Sequence, residues 1–374
     1  ATCQIWYICR KLIIIRKLNL MEEGIMLRNI INEYLVAKKI PGGVIHVQQG
    51  NVVLYRDSFG SFVTNTGEVK EISMETVFDI ASLTKVVATL PATLVLLDKK
   101  QVSLKDSVQK YIPQFQYPNI NIEHLLYHNS GLPADLFPPV KRGENRDVLE
   151  EIFTVDPIFE PGKTVVYSDL GMILLGKMIE EVSGETFDQF VEREVLIPMG
   201  MKNTTFNPKE EIRSLIAATE YMNGSYVQGV VHDEKAYMLN GVSGSAGLFS
   251  CLDDLVKYVH YWLHPSDQTV FNPAWLQDCH QNFFKHRGLG FEVWNGKDTE
   301  VTISTDWSIG SFGHTGFTGT SIWIDPKEKL FVVLLTNAIH YGRDVPKKEF
   351  RLEIHESVYE TFIKKESTNY EKLD

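Results

Sequence analysis

The sequence predicts an α+β fold in which N- and C-terminal helices flank an antiparallel sheet and an all-helical lobe is inserted into the chain. Two observations carry this prediction: a β-hairpin pattern occurs near each end, and helical patterns with Pro- and Gly-rich loops dominate the middle. The 374 residues also exceed the size at which a single core usually stops growing. We therefore expect two lobes around one cleft.

The first predicted elements are a helix and a hairpin. Apolar residues recur at helical spacing at Leu27, Ile30, Ile31, Tyr34 and Leu35. The runs Val44–Val47 and Val52–Tyr55 are separated by a Gly50-Asn51 turn and predict a β-hairpin. The N-terminal part of the chain is thus expected to supply one edge of the sheet and a helix that covers it.

The C-terminal part of the chain repeats this arrangement. Thr320–Ile324 turns at Asp325-Pro326 and returns through Leu330–Leu335, which predicts a second hairpin. A helix is predicted over Phe350–Phe362. The α/β lobe is therefore expected to comprise residues 21–82 and 285–365, followed by a frayed tail at 366–374.

Residues 83–284 are expected to form the helical lobe. Helices are predicted at Leu170–Val182 and Phe187–Val195. The longest apolar run, Val86–Leu97, is too short to cross a bilayer and is typical of a buried helix, so no transmembrane segment is expected.

Composition narrows the classes of partner. There are 37 basic and 48 acidic residues, a formal charge of −11, which argues against nucleic acid or an anionic membrane and favours a small-molecule or peptide substrate. Cys3, Cys9, Cys251 and Cys279 are too sparse for a disulfide framework.

Residues 1–20 break their apolar runs with basic residues and do not resemble a signal peptide. They are expected to be a non-native or disordered leader. Because no export signal is visible, the sequence taken literally predicts a cytoplasmic protein.

The candidate nucleophile is Ser82. Thr76–Ala81 is a β-like run, and the apolar helix that starts after Ser82 would place Lys85 one turn away on the same face. A serine hydroxyl needs a neighbour that takes its proton, and a partly desolvated lysine can do so. Ser107–Lys110 matches the same S-x-x-K pattern, but it lies in a polar stretch typical of a solvated face. A simple helix N-cap is the alternative role for Ser82.

Two further segments favour the catalytic role. Tyr167-Ser168-Asp169 precedes a predicted helix, and His314-Thr315-Gly316 precedes a predicted strand. With Ser82 and Lys85, these residues resemble, in order, the three signatures of the serine β-lactamase and penicillin-binding protein superfamily. The secondary segments Ile122–Pro133, Ile197–Met201 and Ser245–Ser250 resemble its class C β-lactamase-like branch, which includes D-aminopeptidases and esterases.

The resemblance implies a mechanism for the whole site. Ser82 would attack a carbonyl carbon, Lys85 and Tyr167 would share the proton transfers, and an acyl-enzyme would form and be hydrolysed, without metal or organic cofactor. The substrate-binding residues would be Asp169, His314, Thr315, Gly316 and Phe317, and the backbone amides of Ser82 and Phe317 would form the oxyanion hole.

The implied substrates are D-amino-acid peptides, esters or β-lactams, with peptidoglycan-derived peptides among them and β-lactams as covalent ligands. Such an activity on the cell wall would place the protein outside the cytoplasm. A penicillin-interacting sensor or receptor, which is acylated without efficient turnover, is the alternative function.

Two departures from the signatures bear on specificity. Asp169 stands where a side-chain amide is usual, and an ionised carboxylate cannot donate a hydrogen bond. Its negative charge should also raise the pKa of Lys85, which would shift the role of base toward Tyr167. His314 stands where lysine offers a permanent cation, so strong penicillinase activity is not expected. An alternative register, Ser168-Asp169-Leu170 as the second signature, remains open at this point.

Other histidines are weaker candidates. His124 and His128 have i, i+4 spacing, but without an H-E-x-x-H pattern they predict a structural turn beneath the cleft rather than a metal site. His232 and Asp233 either border the site or lie in a solvated loop.

Overall fold

The computed structural model describes residues 24–264, 270–297 and 302–364. The predicted leader and the tail at 366–374 lie outside these residues.

A seven-stranded antiparallel sheet joins the two ends of the described chain. Its order is β3 (Val69–Glu71), β2 (Val52–Val63), β1 (Gly42–Gln49), β12 (Leu330–Thr336), β11 (Ser321–Asp325), β10 (Phe312–Thr315) and β9 (Glu292–Val293). Strand β1 pairs with β12 with Val44 opposite Leu335. Both predicted hairpins are present, and they meet at the centre of the sheet.

Two helices cover one face of this sheet. They are α1 (24–36) and α10 (Lys347–Tyr359). Leu27 and Ile31 of α1 and Ile354 of α10 are buried in one apolar cluster with Trp323 and Val332 of the sheet. Burying these apolar side chains is what attaches both helices to the sheet. The predicted α+β architecture, with flanking terminal helices, is confirmed.

Helices are the main regular elements of the inserted segment. Its helices are α2 (Leu90–Asp98), α3 (Ile122–Leu126), α4 (Val148–Thr154), α5 (Asp169–Ser183), α6 (Phe187–Val191), α7 (Glu234–Met238), α8 (Leu252–Leu263) and α9 (Ala274–His280). A wide π-helical turn, Lys85–Thr89, precedes α2, and Pro91 lies in the first turn of α2, so the helical run continues through the proline.

The helix that follows Ser82 is a core element. Over Ala81–Asp98 it is long and apolar enough to cross a membrane by length and composition alone, but 89% of it is buried inside the protein. A helix that is apolar on all sides and enclosed by protein is typical of a buried core helix. The predicted buried helix at Val86–Leu97 is therefore present.

The insert also contains short strands that the sequence analysis did not predict. Strands β8 (Leu248–Ser250) and β5 (Thr205–Phe206) pair with each other, and β8 also pairs with β4 (Phe78–Asp79), which precedes the insert and falls in the predicted β-like run. Strand β6 (Tyr221–Met222) pairs with β7 (Ser225–Tyr226). Strands of two or three residues are too short to show periodicity. The prediction of an all-helical insert is therefore wrong: loops and short strands separate its helices. Its division from the sheet as a separate lobe stays a prediction.

Candidate active site

A strained backbone turn presents Ser82. Strand β4 ends at Asp79, whose buried carboxylate accepts hydrogen bonds from the backbone N–H of Ala81 at 2.9 Å and of His232 at 2.7 Å. Ala81 has a φ of +46°, a left-handed conformation that costs free energy for a residue with a Cβ. Ser82 follows in a single 3₁₀ turn, and its side chain is half-buried.

Lys85 lies directly behind Ser82 and is completely buried. Its Nζ donates to Ser82 Oγ at 2.8 Å and to the carbonyl oxygen of Ser245 at 2.8 Å. It is also 2.8 Å from Asp169 Oδ1. Two hydrogen bonds and one ion pair thus fix the position of Lys85 relative to Ser82.

The pair of Lys85 and Asp169 sets the charge of the site. Burial alone would lower the pKa of Lys85, but the negative charge of Asp169 holds that pKa above its ordinary value. Conversely, burial would raise the pKa of Asp169, but the charges of Lys85 and Lys235 hold it below its ordinary value. The prediction that Asp169 raises the pKa of Lys85 is confirmed.

Tyr167 lies beside this pair at the start of α5. Lys85 Nζ is 5.1 Å and the Arg287 guanidinium carbon 5.2 Å from the centroid of the Tyr167 ring. The ring centroids of His128 and His314 are 4.7 Å and 5.7 Å away. Tyr167 thus projects into a group of cationic and imidazole side chains close to Lys85.

The structure also resolves the register of this segment. Ser168 is buried, and its Oγ donates to the carbonyl oxygen of Pro133 at 2.6 Å and accepts from the backbone N–H of Gly171, so it caps α5. Tyr167 and Asp169, on either side, line the cleft, and Ser168 does not. This geometry favours Tyr167-Ser168-Asp169 over Ser168-Asp169-Leu170 as the second signature.

The opposite wall of the cleft is the end of β10. His314 Nδ1 donates to the carbonyl oxygen of Thr315 at 2.8 Å, and burial together with the charge of Lys85 lowers the pKa of His314 well below its usual range. His314 is therefore neutral, as predicted. A Cβ at Gly316 would lie 2.6 Å from the carbonyl oxygen of Ile80, so only glycine allows this wall to approach the turn that carries Ser82.

Two residues that line the cleft have backbone N–H groups without a backbone acceptor in the described part of the chain. Within the described residues, the N–H groups of Ser82 and Phe317 donate no backbone hydrogen bond. Unpaired N–H groups of this kind can stabilise an oxyanion. The Phe317 ring is stacked on His232 with centroids 5.8 Å apart, and Lys347 Nζ lies 4.5 Å from the Phe317 centroid.

Together these elements form a cleft of about 460 Å³. Every predicted site residue except Lys85 lines it, and Lys85 reaches it through Ser82 and Asp169. His232 and Asp233 also line it, so the segment that contains them borders the site. The other S-x-x-K pattern lies elsewhere, because Lys110 is paired with Asp106 at the surface.

Several charged side chains that line the cleft were not predicted from the sequence as site residues. They are Asp135, Glu234, Lys235, Arg287, Glu292, Arg343, Lys347 and Arg351. Lys235 directly follows the His232-Asp233-Glu234 segment, so its position was open to inference from that segment. The others belong to no motif, and only the fold brings them to Ser82.

The two histidines with i, i+4 spacing have structural contacts. His124 Nδ1 accepts from the backbone N–H of Asn121 and completes the N-terminal cap of α3. His128 Nδ1 accepts from the backbone N–H of Ser168 at 3.1 Å. Both rings thus accept hydrogen bonds from backbone N–H groups, which agrees with the predicted structural role.

The fold and the constellation of Ser82, Lys85 and Tyr167 define a protein of the serine β-lactamase and penicillin-binding protein class. The sequence model of the Beta-lactamase family matches residues 27–356. The chain therefore belongs to the Beta-lactamase family.

The chain is similar to several known proteins. It is 33% identical over 342 residues to an Escherichia coli (strain K12) protein named "Putative D-alanyl-D-alanine carboxypeptidase", a match that covers 80% of this chain and 78% of the relative. It is 30% identical to the N-acetylmuramyl-L-alanine amidase of Bacillus subtilis (strain 168), covering 82% and 79%. The structure of EstCE1, a hydrolase with promiscuous acyltransferase activity, aligns with a TM-score of 0.74 at 22% identity, covering 92% of this chain and 100% of the other.

Proposed function

We propose that the protein is a serine hydrolase that cleaves amide, peptide or ester bonds through an acyl-enzyme at Ser82. The observation that carries this proposal is the 2.8 Å contact between Lys85 Nζ and Ser82 Oγ inside a cleft large enough for a substrate. An activated hydroxyl, a neighbouring proton-transfer group and free amide donors are the parts that acyl transfer requires.

In the proposed reaction Ser82 Oγ attacks the substrate carbonyl carbon, and the Ser82 and Phe317 amides bind the oxygen that becomes negative. Because Asp169 keeps Lys85 protonated, Lys85 stabilises negative charge rather than accepting the proton. Tyr167, which lies beside Lys85, accepts the Ser82 proton on its hydroxyl oxygen and passes its own proton to the leaving group. Water then hydrolyses the acyl-enzyme by the same proton transfers in reverse order.

The proposed substrates are peptides or amides derived from peptidoglycan, with small esters as surrogates. Two relatives are named for the cleavage of amide bonds, a D-alanyl-D-alanine bond in one and an N-acetylmuramyl-L-alanine bond in the other. The neutral His314 offers no cation to the carboxylate of a β-lactam, so β-lactams are expected to be poorer substrates.

The test is a panel of a nitrophenyl ester, D-alanyl anilide, a chromogenic cephalosporin and a fluorescent penicillin. The wild-type protein should turn over the ester or the anilide, and Ser82→Ala should abolish this turnover. Tyr167→Phe should slow it by about 10²-fold or more. Ser107→Ala, which alters the other S-x-x-K serine, is the matched control and should retain activity. Turnover that survives Ser82→Ala would overturn the proposal, and labelling without turnover would favour the sensor.

A further inference from the structure

Lys235 is a buried cation in the wall of the cleft. It lies in α7 and is 4% exposed. Its Nζ is 2.8 Å from Asp135 Oδ2, 3.2 Å from Asp169 Oδ2 and 3.7 Å from Asp233 Oδ2. Three separate segments of the chain thus place carboxylates around one ammonium group.

The ammonium group retains one free donor. Asp135 and Asp169 lie at hydrogen-bond distance, whereas 3.7 Å to Asp233 is too long for a hydrogen bond. The other carboxylate oxygen of Asp233 already accepts the backbone N–H of Ala236. An ammonium group has three N–H donors, so within the described residues one of them has no acceptor. Lys235 lines the same cleft as Ser82.

Asp169 cannot supply this donor itself. Its Oδ1 faces Lys85 at 2.8 Å and its Oδ2 faces Lys235 at 3.2 Å, and an ionised carboxylate only accepts hydrogen bonds. A substrate carbonyl oxygen brought to this position would meet the negative charge of Asp169 without a compensating donor. The adjacent Lys235 offers both the N–H and the positive charge.

We propose that Lys235 is a substrate-binding residue that donates a hydrogen bond to an amide carbonyl oxygen next to the scissile bond. Asp169 and Lys235 together then present the acceptor and the donor that a single side-chain amide would present. The inference rests on the proposed function and specifies its substrate class, acyl groups that carry an amide, in preference to simple alkanoyl groups.

The opposing account is that Lys235 only neutralises the surrounding carboxylates. The two accounts differ in substrate preference, because a structural cation affects all substrates alike whereas a hydrogen-bond donor affects only those with an acceptor. The test therefore uses two nitrophenyl esters with the same leaving group and matched size. One carries an N-acetylamino acyl group, and the other has methylene groups in place of that amide.

For the wild-type protein, kcat/KM should be at least about tenfold higher for the amide-bearing ester, the size expected for one hydrogen bond to a charged group. Lys235→Met should reduce this preference to about one. Asp169→Asn combined with Lys235→Met should restore most of the preference, because the asparagine brings back a donor. Lys177→Met is the matched control, since Lys177 in α5 pairs with Glu180 and Glu181 outside this cleft; it should leave the preference unchanged.

A preference that is equal in wild type and Lys235→Met, or a double variant that regains activity without regaining the preference, would overturn the inference. If neither ester is turned over in a Ser82-dependent way, the proposed function fails instead. Calorimetry with Ser82→Ala protein then tests Lys235 separately. The amide-bearing analogue should bind about tenfold more tightly than its methylene counterpart, and equal affinities would refute the role of Lys235.

Discussion

At the scale of single residues, the site depends on a buried ion pair whose members shift each other's pKa in opposite directions. The pKa of Asp169 is lowered and that of Lys85 is raised. A carboxyl with a lowered pKa in the folded state stabilises the fold above its unfolded pKa, near 3.8, and this stabilisation is lost as the pH falls through the folded value. The Lys85 contribution is present below 10.5 and is lost as the pH rises through its folded pKa.

The first prediction follows from this pair. Asp169→Asn should lower the free energy of unfolding at pH 7 by about 3 kcal/mol, because it leaves the buried Lys85 without its charged partner. The difference from wild type should shrink as the pH falls below 3.8 toward the lowered pKa of folded Asp169, because protonation then removes the charge of the wild-type carboxylate as well. Urea denaturation at pH 7 and pH 3 measures both values. A difference that is the same at both pH values would refute the linkage.

At the scale of elements, several of the proposed site residues lie at the end of a helix or strand. Ser82 follows β4, Asp169 begins α5, and His314 and Thr315 end β10. Such termini bring side chains and unpaired backbone amides to a common point while the elements behind them stay packed. The buried face of α5, which includes Leu170 and Leu174, supports this arrangement.

The second prediction concerns the start of α5. Ser168→Ala removes the cap and leaves the carbonyl oxygen of Pro133 without its donor, so the free energy of unfolding should fall by about 1–2 kcal/mol. Turnover should fall as well, because Tyr167 and Asp169 flank the cap. Thermal unfolding and steady-state kinetics measure the two effects. Ser183→Ala, at the other end of α5, is the control for turnover and should not change it.

At the scale of the whole molecule, the sheet and the inserted segment meet at the nucleophile. Thr318 Oγ1 donates to the carbonyl oxygen of Asp79 at 2.8 Å, and Thr320 Oγ1 donates to that of Ile80 at 3.1 Å. Arg351 in α10 donates to the carbonyl oxygens of Gly316 and Thr320 at 2.9 Å and 3.1 Å. The C-terminal helix, the sheet and the Ser82 turn are thus connected by hydrogen bonds.

The third prediction tests this connection. Thr320→Val keeps the size of the side chain but removes the hydroxyl, so the turn before Ser82 loses one of its supports. The free energy of unfolding should fall by about 1 kcal/mol, and kcat/KM should fall by more than this loss of folded protein explains. Kinetics on samples shown to be folded by circular dichroism separate the two effects. Unchanged kcat/KM would show that the connection does not position Ser82.

The sequence allowed the sheet and the signature residues to be predicted because both depend on local pattern. The hairpins at Val44–Tyr55 and Thr320–Leu335 show turn residues between apolar runs, and Ser82, Tyr167 and His314 lie in short motifs. The charges that complete the cleft were not predictable in this way. Arg287 and Arg343 reach the site only because segments far apart in the chain pack together, and neither belongs to a motif.

Acylation of Ser82 is measured most directly by peptide mapping of protein that is quenched during its reaction with a slowly hydrolysed ester or a penicillin. We expect a mass increase equal to the acyl group on the peptide that contains Ser82, and no such increase in Ser82→Ala protein. An acyl group on a different residue, such as Ser107, or an adduct that persists in Ser82→Ala, would contradict this expectation.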